Sequence, residues 1–296
     1  MNHEGSLFKQ VTIVGVGLIG GSLGMAIKKH QVAQEVIGLS NRHSSLVDAL
    51  QNKAIDRGFH DIKKAVETAD LVIMATPVKT IVNLLPIVTK YLKRGCIVTD
   101  VGSTKTTIVD CAERYLTSAF FVGSHPLAGS EKTGIIFANP DLFHQSLCLM
   151  TPTPKTNRAA EEKVRALWTS LGARVKTFTP LEHDKILAYI SHLPHLVAYA
   201  LIGVIPDEYL PYVAQGLKDT TRIAASSPYM WNDICLTNPK NIVHTLDELV
   251  KRISLLRKSI LLKDEQNLIE NFKKSKSKRE SLDQAPEPNA PSTGPI

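Results

Sequence analysis

Histidine, serine and arginine recur at close spacing in a few short runs of this chain. Asp100-Val101-Gly102-Ser103-Thr104-Lys105 and Gly123-Ser124-His125-Pro126-Leu127-Ala128-Gly129-Ser130-Glu131 each follow an apolar run. Later come Ser191-His192-Leu193-Pro194-His195, Lys218-Asp219-Thr220-Thr221-Arg222 and Ser226-Ser227-Pro228-Tyr229-Met230-Trp231. An imidazole with an ordinary pKa of about 6.5 exchanges protons at neutral pH. A planar guanidinium grips a carboxylate through parallel hydrogen bonds. Such residue types together can pass a proton and hold an anion. Each also has a structural alternative. His125 beside Pro126 could only fix a turn, Ser103 could cap a helix beginning near Lys105, and Arg222 could pair with Asp219 one helical turn earlier. His195 and Trp231 could be ordinary core residues.

The elements that must position these residues begin with Val11-Thr12-Ile13-Val14, a β-branched run that ends in Gly15-Val16-Gly17-Leu18-Ile19-Gly20. A helical stretch follows, from Ser22 to Lys29. Strand, Gly-x-Gly-x-x-Gly and helix form the phosphate-binding turn of a Rossmann-type dinucleotide fold. Gly15 permits the tight turn, Gly17 the approach of a pyrophosphate and Gly20 the close packing of helix on strand. Leu18 and Ile19 stand within this turn, and the N-terminus of the helix that follows offers free N–H groups to the phosphates. Further strands are expected at 35–39, 71–75, 97–101, 120–123, 147–151 and 174–177, with helices between, as in a parallel sheet with crossover helices. Thr76-Pro77 and Gly102-Ser103 close two of these strands on the edge where open α/β sheets bind ligands.

The second strand ends Ser40-Asn41-Arg42, without the acid that usually holds a ribose diol. A hydroxyl and a guanidinium suit a 2′-phosphate, which favours NADP over NAD. The alternative is a surface Arg42, with Asn41 serving a plain ribose. After Thr179-Pro180 strand patterns stop. Residues 181–205 read as one long helix with a kink near Pro194, 207–225 as another and 239–263 as a third. The expected division is a dinucleotide-binding domain over 1–179, an all-α domain over 180–272 and a disordered tail over 273–296.

Composition adds limits. The chain is 43% hydrophobic and 21% charged, which is ordinary for a globular protein. Much of the net charge of +7 sits in the tail, in Lys273, Lys274, Lys276, Lys278 and Arg279, without interleaved aromatic residues. No nucleic-acid partner is expected from that pattern. The 4 cysteines form no CxxC pair, which argues against a metal site or disulfide frame and for a reducing compartment. The uncharged run 11–27 is rich in glycine, is followed by Lys28-Lys29 and is not preceded by the basic n-region of a secretory signal, so no membrane segment is expected there or elsewhere.

The stretches DVGSTK, SHPLAGSEKTG, HLPH and R-x-A-x-S-S-P-x-M-W together resemble the prephenate/arogenate dehydrogenase family of tyrosine biosynthesis. The resemblance runs from about Phe8 to Leu268. It implies a cytoplasmic NAD(P)-dependent enzyme whose Rossmann-type domain is followed by a 6-phosphogluconate-dehydrogenase-like helical dimerisation domain, hence a homodimer. The implied reaction is oxidative decarboxylation of a cyclohexadiene. Hydride leaves ring C4, CO2 leaves C1, and the ring becomes aromatic. In this likeness His125 partners the C4 hydroxyl, Ser103 contacts the same hydroxyl, and Arg222 receives a substrate carboxylate. Asp219 and Glu131 lie near that arginine, His195 and Ser191 help to hold the substrate, and Trp231 matches a residue that reaches the partner subunit's site in some members. The cofactor falls to Gly15, Gly17, Leu18, Ile19, Gly20, Ser40, Arg42, Thr76 and Pro77. Two other readings compete. One is another two-domain dehydrogenase or reductase, which would use a lysine of the helical part such as Lys185 or Lys218. The other is a non-catalytic dinucleotide sensor.

Overall fold

The computed structural model describes residues 5–129 and 132–284. Its strands are β1 (Phe8–Val14), β2 (Ala33–Leu39), β3 (Arg57–Phe59), β4 (Leu71–Met74), β5 (Ile97–Asp100), β6 (Phe120–Pro126), β7 (Leu147–Thr151) and β8 (Arg174–Thr177). They form one sheet in the order β3-β2-β1-β4-β5-β6-β7-β8. From β1 the chain winds outward through β2 and β3, then crosses back to β4 and winds the other way. The crevice at that reversal is where such sheets take ligands.

Successive strand residues point to opposite faces, and both faces are covered here. Val11, Ile13, Leu71 and Ile73 pack in one layer with Leu23 and Ile27 of α1 (Leu18–Lys29) and Val164, Leu167 and Trp168 of α6 (Arg158–Ser170). Val14, Val72, Met74 and Val98 pack in the other. Their partners there come from α3 (Ile62–Val66), α4 (Val78–Val88) and α5 (Thr106–Tyr115). A remaining helix, α2 (His43–Gln51), follows β2.

All the expected strands form, and the short edge strand β3 was not foreseen. The sheet is mixed rather than parallel throughout, because β7 runs antiparallel to β6 and β8 parallel to β7. The connection from β6 to β7 holds only a 3-10 turn, Ile135–Phe137, among its described residues. A strand that returns without a crossover helix must run back the other way.

Beyond β8 the chain is helical. α7 (Pro180–Leu187) starts at a reciprocal cap in which Thr179 and Glu182 bond each other's backbone N–H, with Pro180 in the first turn. A single π-helical turn, Ala188–His192, joins it to α8 (Leu193–Gly203), so the irregularity precedes Pro194. Contrary to the sequence reading, Pro180–Gly203 has the length and apolar composition of a membrane span, with 22% of that window buried within the chain. The stretch expected as one helix over 207–225 breaks into a 3-10 turn, α9 (Gln215–Thr221) and a second 3-10 turn, Arg222–Ala225. Pro211 interrupts the first piece. α10 (Pro228–Thr237) and α11 (Pro239–Leu261) follow, then α12 (Glu265–Gln284).

The expected disordered tail is therefore helical from Lys273 to Gln284, and residues 285–296 lie outside the described residues. By contacts the chain divides into two compact units, the first ending at Ile242 and the second beginning at Val243. α7 to α10 thus belong to the same unit as the sheet.

Candidate active site

The turn after β1 is built around glycine. Gly15 has φ +95°, and a Cβ there would meet the Ala75 carbonyl oxygen at 2.7 Å. At Gly20 a Cβ would lie 1.9 Å from the Gly15 carbonyl oxygen, so only glycine lets α1 pack this close. A Cβ on Gly17 would meet nothing within 4 Å, and no side chain caps α1 at that residue. Bare backbone N–H groups at a helix N-terminus beside open space fit a pyrophosphate. The buried Thr76 hydroxyl, which has no partner among the described residues, lines the same space.

That space is part of a cleft of about 900 Å³ within the first unit. Gly17, Leu18, Ile19, Arg42, Thr76 and Pro77 line it on the glycine-turn side, and Ser103, His125, Ser191, His195, Arg222 and Trp231 line it elsewhere. Gly15 and Gly20 shape the turn without lining the cleft. Ser40 also stays off the wall, where its hydroxyl accepts from the Arg42 N–H at 3.2 Å and its carbonyl takes His60 Nδ1 at 2.7 Å. Asp219 does not line the cleft either; its carboxylate accepts from the Gln215 amide Nε2 one turn earlier, at 2.7 Å. Glu131 and its neighbour Ser130 lie outside the described residues. Lys185 and Lys218 are exposed and line no part of the cleft.

Ser103 does not cap α5. Asp184 does so from α7, accepting the backbone N–H of Lys105 at 2.7 Å and of Thr106 at 2.9 Å. The Ser103 hydroxyl is thereby left on the cleft wall. Beneath it lies a buried ion pair. The Lys105 ammonium donates to the Asp100 carboxylate and, at 2.8 Å, to the Ser124 carbonyl. The Asp100 carboxylate also accepts the Gly102 N–H at 2.8 Å, which fixes the turn that carries Ser103.

His125 stands near the end of β6, half-buried on the cleft. Its Nδ1 lies 2.9 Å from Nε2 of His183, and His183 Nδ1 lies 2.9 Å from Asp184 Oδ1. Burial drives the His125 pKa well below the usual histidine value, and positive charge on His183, Lys105 and His192 would push the same way. His183 is lowered by burial too, against the opposing pull of its bond to Asp184. Burial alone would raise the Asp184 carboxyl, but hydrogen bonds from His183, Thr106 and Lys105 outweigh it and hold it below its ordinary value. So His125 and His183 are neutral and Asp184 is ionised at neutral pH.

On the helical side His195 stacks on Trp231, with ring centroids 3.9 Å apart. Its Nδ1 bonds the Ser191 carbonyl at 2.9 Å, so the π turn and α8 hold the ring together. Trp231 is 5% exposed and packs on a histidine of its own chain. His183, Asp184 and Lys105 were not picked out from sequence as site residues. The available signal was Glu182-His183-Asp184 in the first turn of a well-capped apolar helix.

A glycine turn and a neutral histidine on one cleft, backed by helices, are the features of a nicotinamide-dinucleotide oxidoreductase. The nucleotide-binding domain model of prephenate dehydrogenase matches residues 23–177, and the dimerization domain model of prephenate dehydrogenase matches residues 179–274. The chain belongs to the prephenate dehydrogenase family of tyrosine biosynthesis, which includes prephenate, cyclohexadienyl and arogenate dehydrogenases. It is 38% identical to a prephenate dehydrogenase of Bacillus subtilis, over 92% of this chain and 76% of that one. With a cyclohexadienyl dehydrogenase of Zymomonas mobilis the identity is 32%, over 94% and 97%. The crystal structure of prephenate dehydrogenase from A. aeolicus in complex with hydroxyphenyl propionate and NAD+ superposes with TM-score 0.86 at 32% identity, covering 93% of this chain and 98% of that one.

Proposed function

We propose that this chain oxidatively decarboxylates prephenate or arogenate and delivers the hydride to NADP. The observation that carries the reading is that the glycine turn, Ser103, His125, His195 and Arg222 line one cleft. Nicotinamide, when bound, supplies the hydride acceptor. The chain's own residues do the rest. A neutral His125 accepts the hydrogen bond of the C4 hydroxyl, which turns acidic as its carbon loses hydride. Ser103 shares that hydroxyl. Arg222 holds a carboxylate of the substrate, and His195, Ser191 and Trp231 hold the substrate from the helical side. Arg42 on the cleft, with no acid at the end of β2, supports NADP.

Residues 180–272 are the segment for substrate and pairing, and a cytoplasmic homodimer completes the reading. It is supported by the dimerization model over 179–274 and by Leu181, Ile190, Val204 and Leu236 left exposed on the helices. The test is a two-by-two assay, offering prephenate and arogenate each with NAD and NADP. Reduced cofactor should form fastest in an NADP cell. A clear preference for NAD would sink the cofactor choice, and no turnover in any cell would sink the reaction.

A further inference from the structure

We propose that His183 and Asp184 are positioning residues that hold His125 in one tautomer, with hydrogen on Nδ1 and the bare Nε2 left for the substrate. The inference rests on the reading of His125 as partner of the substrate hydroxyl.

The argument is donor and acceptor bookkeeping. An ionised carboxylate only accepts. His183 Nδ1, 2.9 Å from Asp184 Oδ1, must therefore carry hydrogen. A neutral imidazole has one N–H, so His183 Nε2 is bare. The 2.9 Å contact between His183 Nε2 and His125 Nδ1 then needs its hydrogen from His125. His125 Nε2 is left with a lone pair, and it is the one ring nitrogen not already engaged by His183. The opposite tautomer would put two lone pairs face to face in a buried place, where nothing compensates them.

The chain is also anchored against reorientation. The carboxylate of Asp184 spends both oxygens on the N-terminus of α5, through Lys105 N–H and Thr106 N–H. Its backbone carbonyl accepts from Asn238 Nδ2 at 2.7 Å. His183 and Asp184 are essentially fully buried. When the substrate O–H breaks and a new N–H forms at His125 Nε2, the ring becomes imidazolium while Nδ1–H still donates to His183. The positive charge then sits at one end of a polar chain that ends on a carboxylate, as in catalytic dyads backed by an acid. No proton need pass beyond His125.

Two substitutions separate this from packing alone. His183→Leu fills the space without an acceptor, and His183→Gln restores one. His183→Leu should lower kcat about 100-fold or more, with KM for substrate and Kd for cofactor within about threefold of wild type. His183→Gln should recover most of the lost kcat. Histidine 15N NMR on the wild-type enzyme should find a single Nδ1–H tautomer at His125, assigned by its loss in His125→Asn, and this measurement needs neither turnover nor a folded His183 variant. Equal kcat in the two folded variants, or an Nε2–H tautomer in the wild type, overturns the proposal. Absence of turnover by the wild type with either cyclohexadiene would count against the reaction itself, and the NMR would still decide the tautomer.

Discussion

An imidazole serves as a base when its surroundings keep it neutral, and burial does this for His125. The acid limb of kcat/KM should therefore lie well below pH 6.5, at lower pH than an exposed histidine gives; a pH profile of initial rates checks it. His125→Asn should cut kcat by about 100-fold or more while leaving cofactor affinity nearly intact, read by steady-state kinetics and cofactor titration. Arg222→Gln should chiefly raise KM for the substrate. Ser103, His125 and Arg222 were legible because each lies in a compact run of polar residues. His183 and Asp184 were not, since their contacts reach across 58 residues to His125 and 79 to Lys105. Spacing in a sequence carries no record of such an approach. Helical spacing also put Asp219 beside Arg222, and its carboxylate bonds Gln215 within the same helix.

At the scale of elements, the tightest constraint is the contact between α1 and the turn before it. Gly20→Ala would drive a methyl group to 1.9 Å from the Gly15 carbonyl oxygen, which no rotamer relieves. That variant should lose dinucleotide binding and melt at lower temperature, measurable by cofactor titration and thermal unfolding. The strands of the sheet were readable because each is a short apolar run between turn residues, covered on both faces. Arg57–Phe59 escaped because 3 residues at a sheet edge carry no periodicity. The reversal at β7 escaped because strand composition is blind to direction. The helix ending at Gln284 escaped because charged residues with little apolar patterning read equally as solvated chain.

Across the whole molecule, buried neutral histidines couple folding to acidity. His192 is pushed down to about 4, mainly by burial. Above pH 6.5 it is neutral folded or unfolded and has no effect on stability. Between pH 6.5 and 4 the unfolded chain takes up the proton and the folded one does not, so stability falls as pH falls, by about 3 kcal/mol for this residue. His125 and His183 are lowered in the same direction and add to the slope. Urea unfolding at stepped pH should show the fall, and a flat response would exclude it. The distribution of the 2 tryptophans has a further use. Trp168 is sealed in the layer under the sheet, whereas Trp231 lies against His195 on the cleft wall. The chain thus carries an optical reference and an optical reporter, and a ligand entering the cleft should alter the emission of one while the other stays constant.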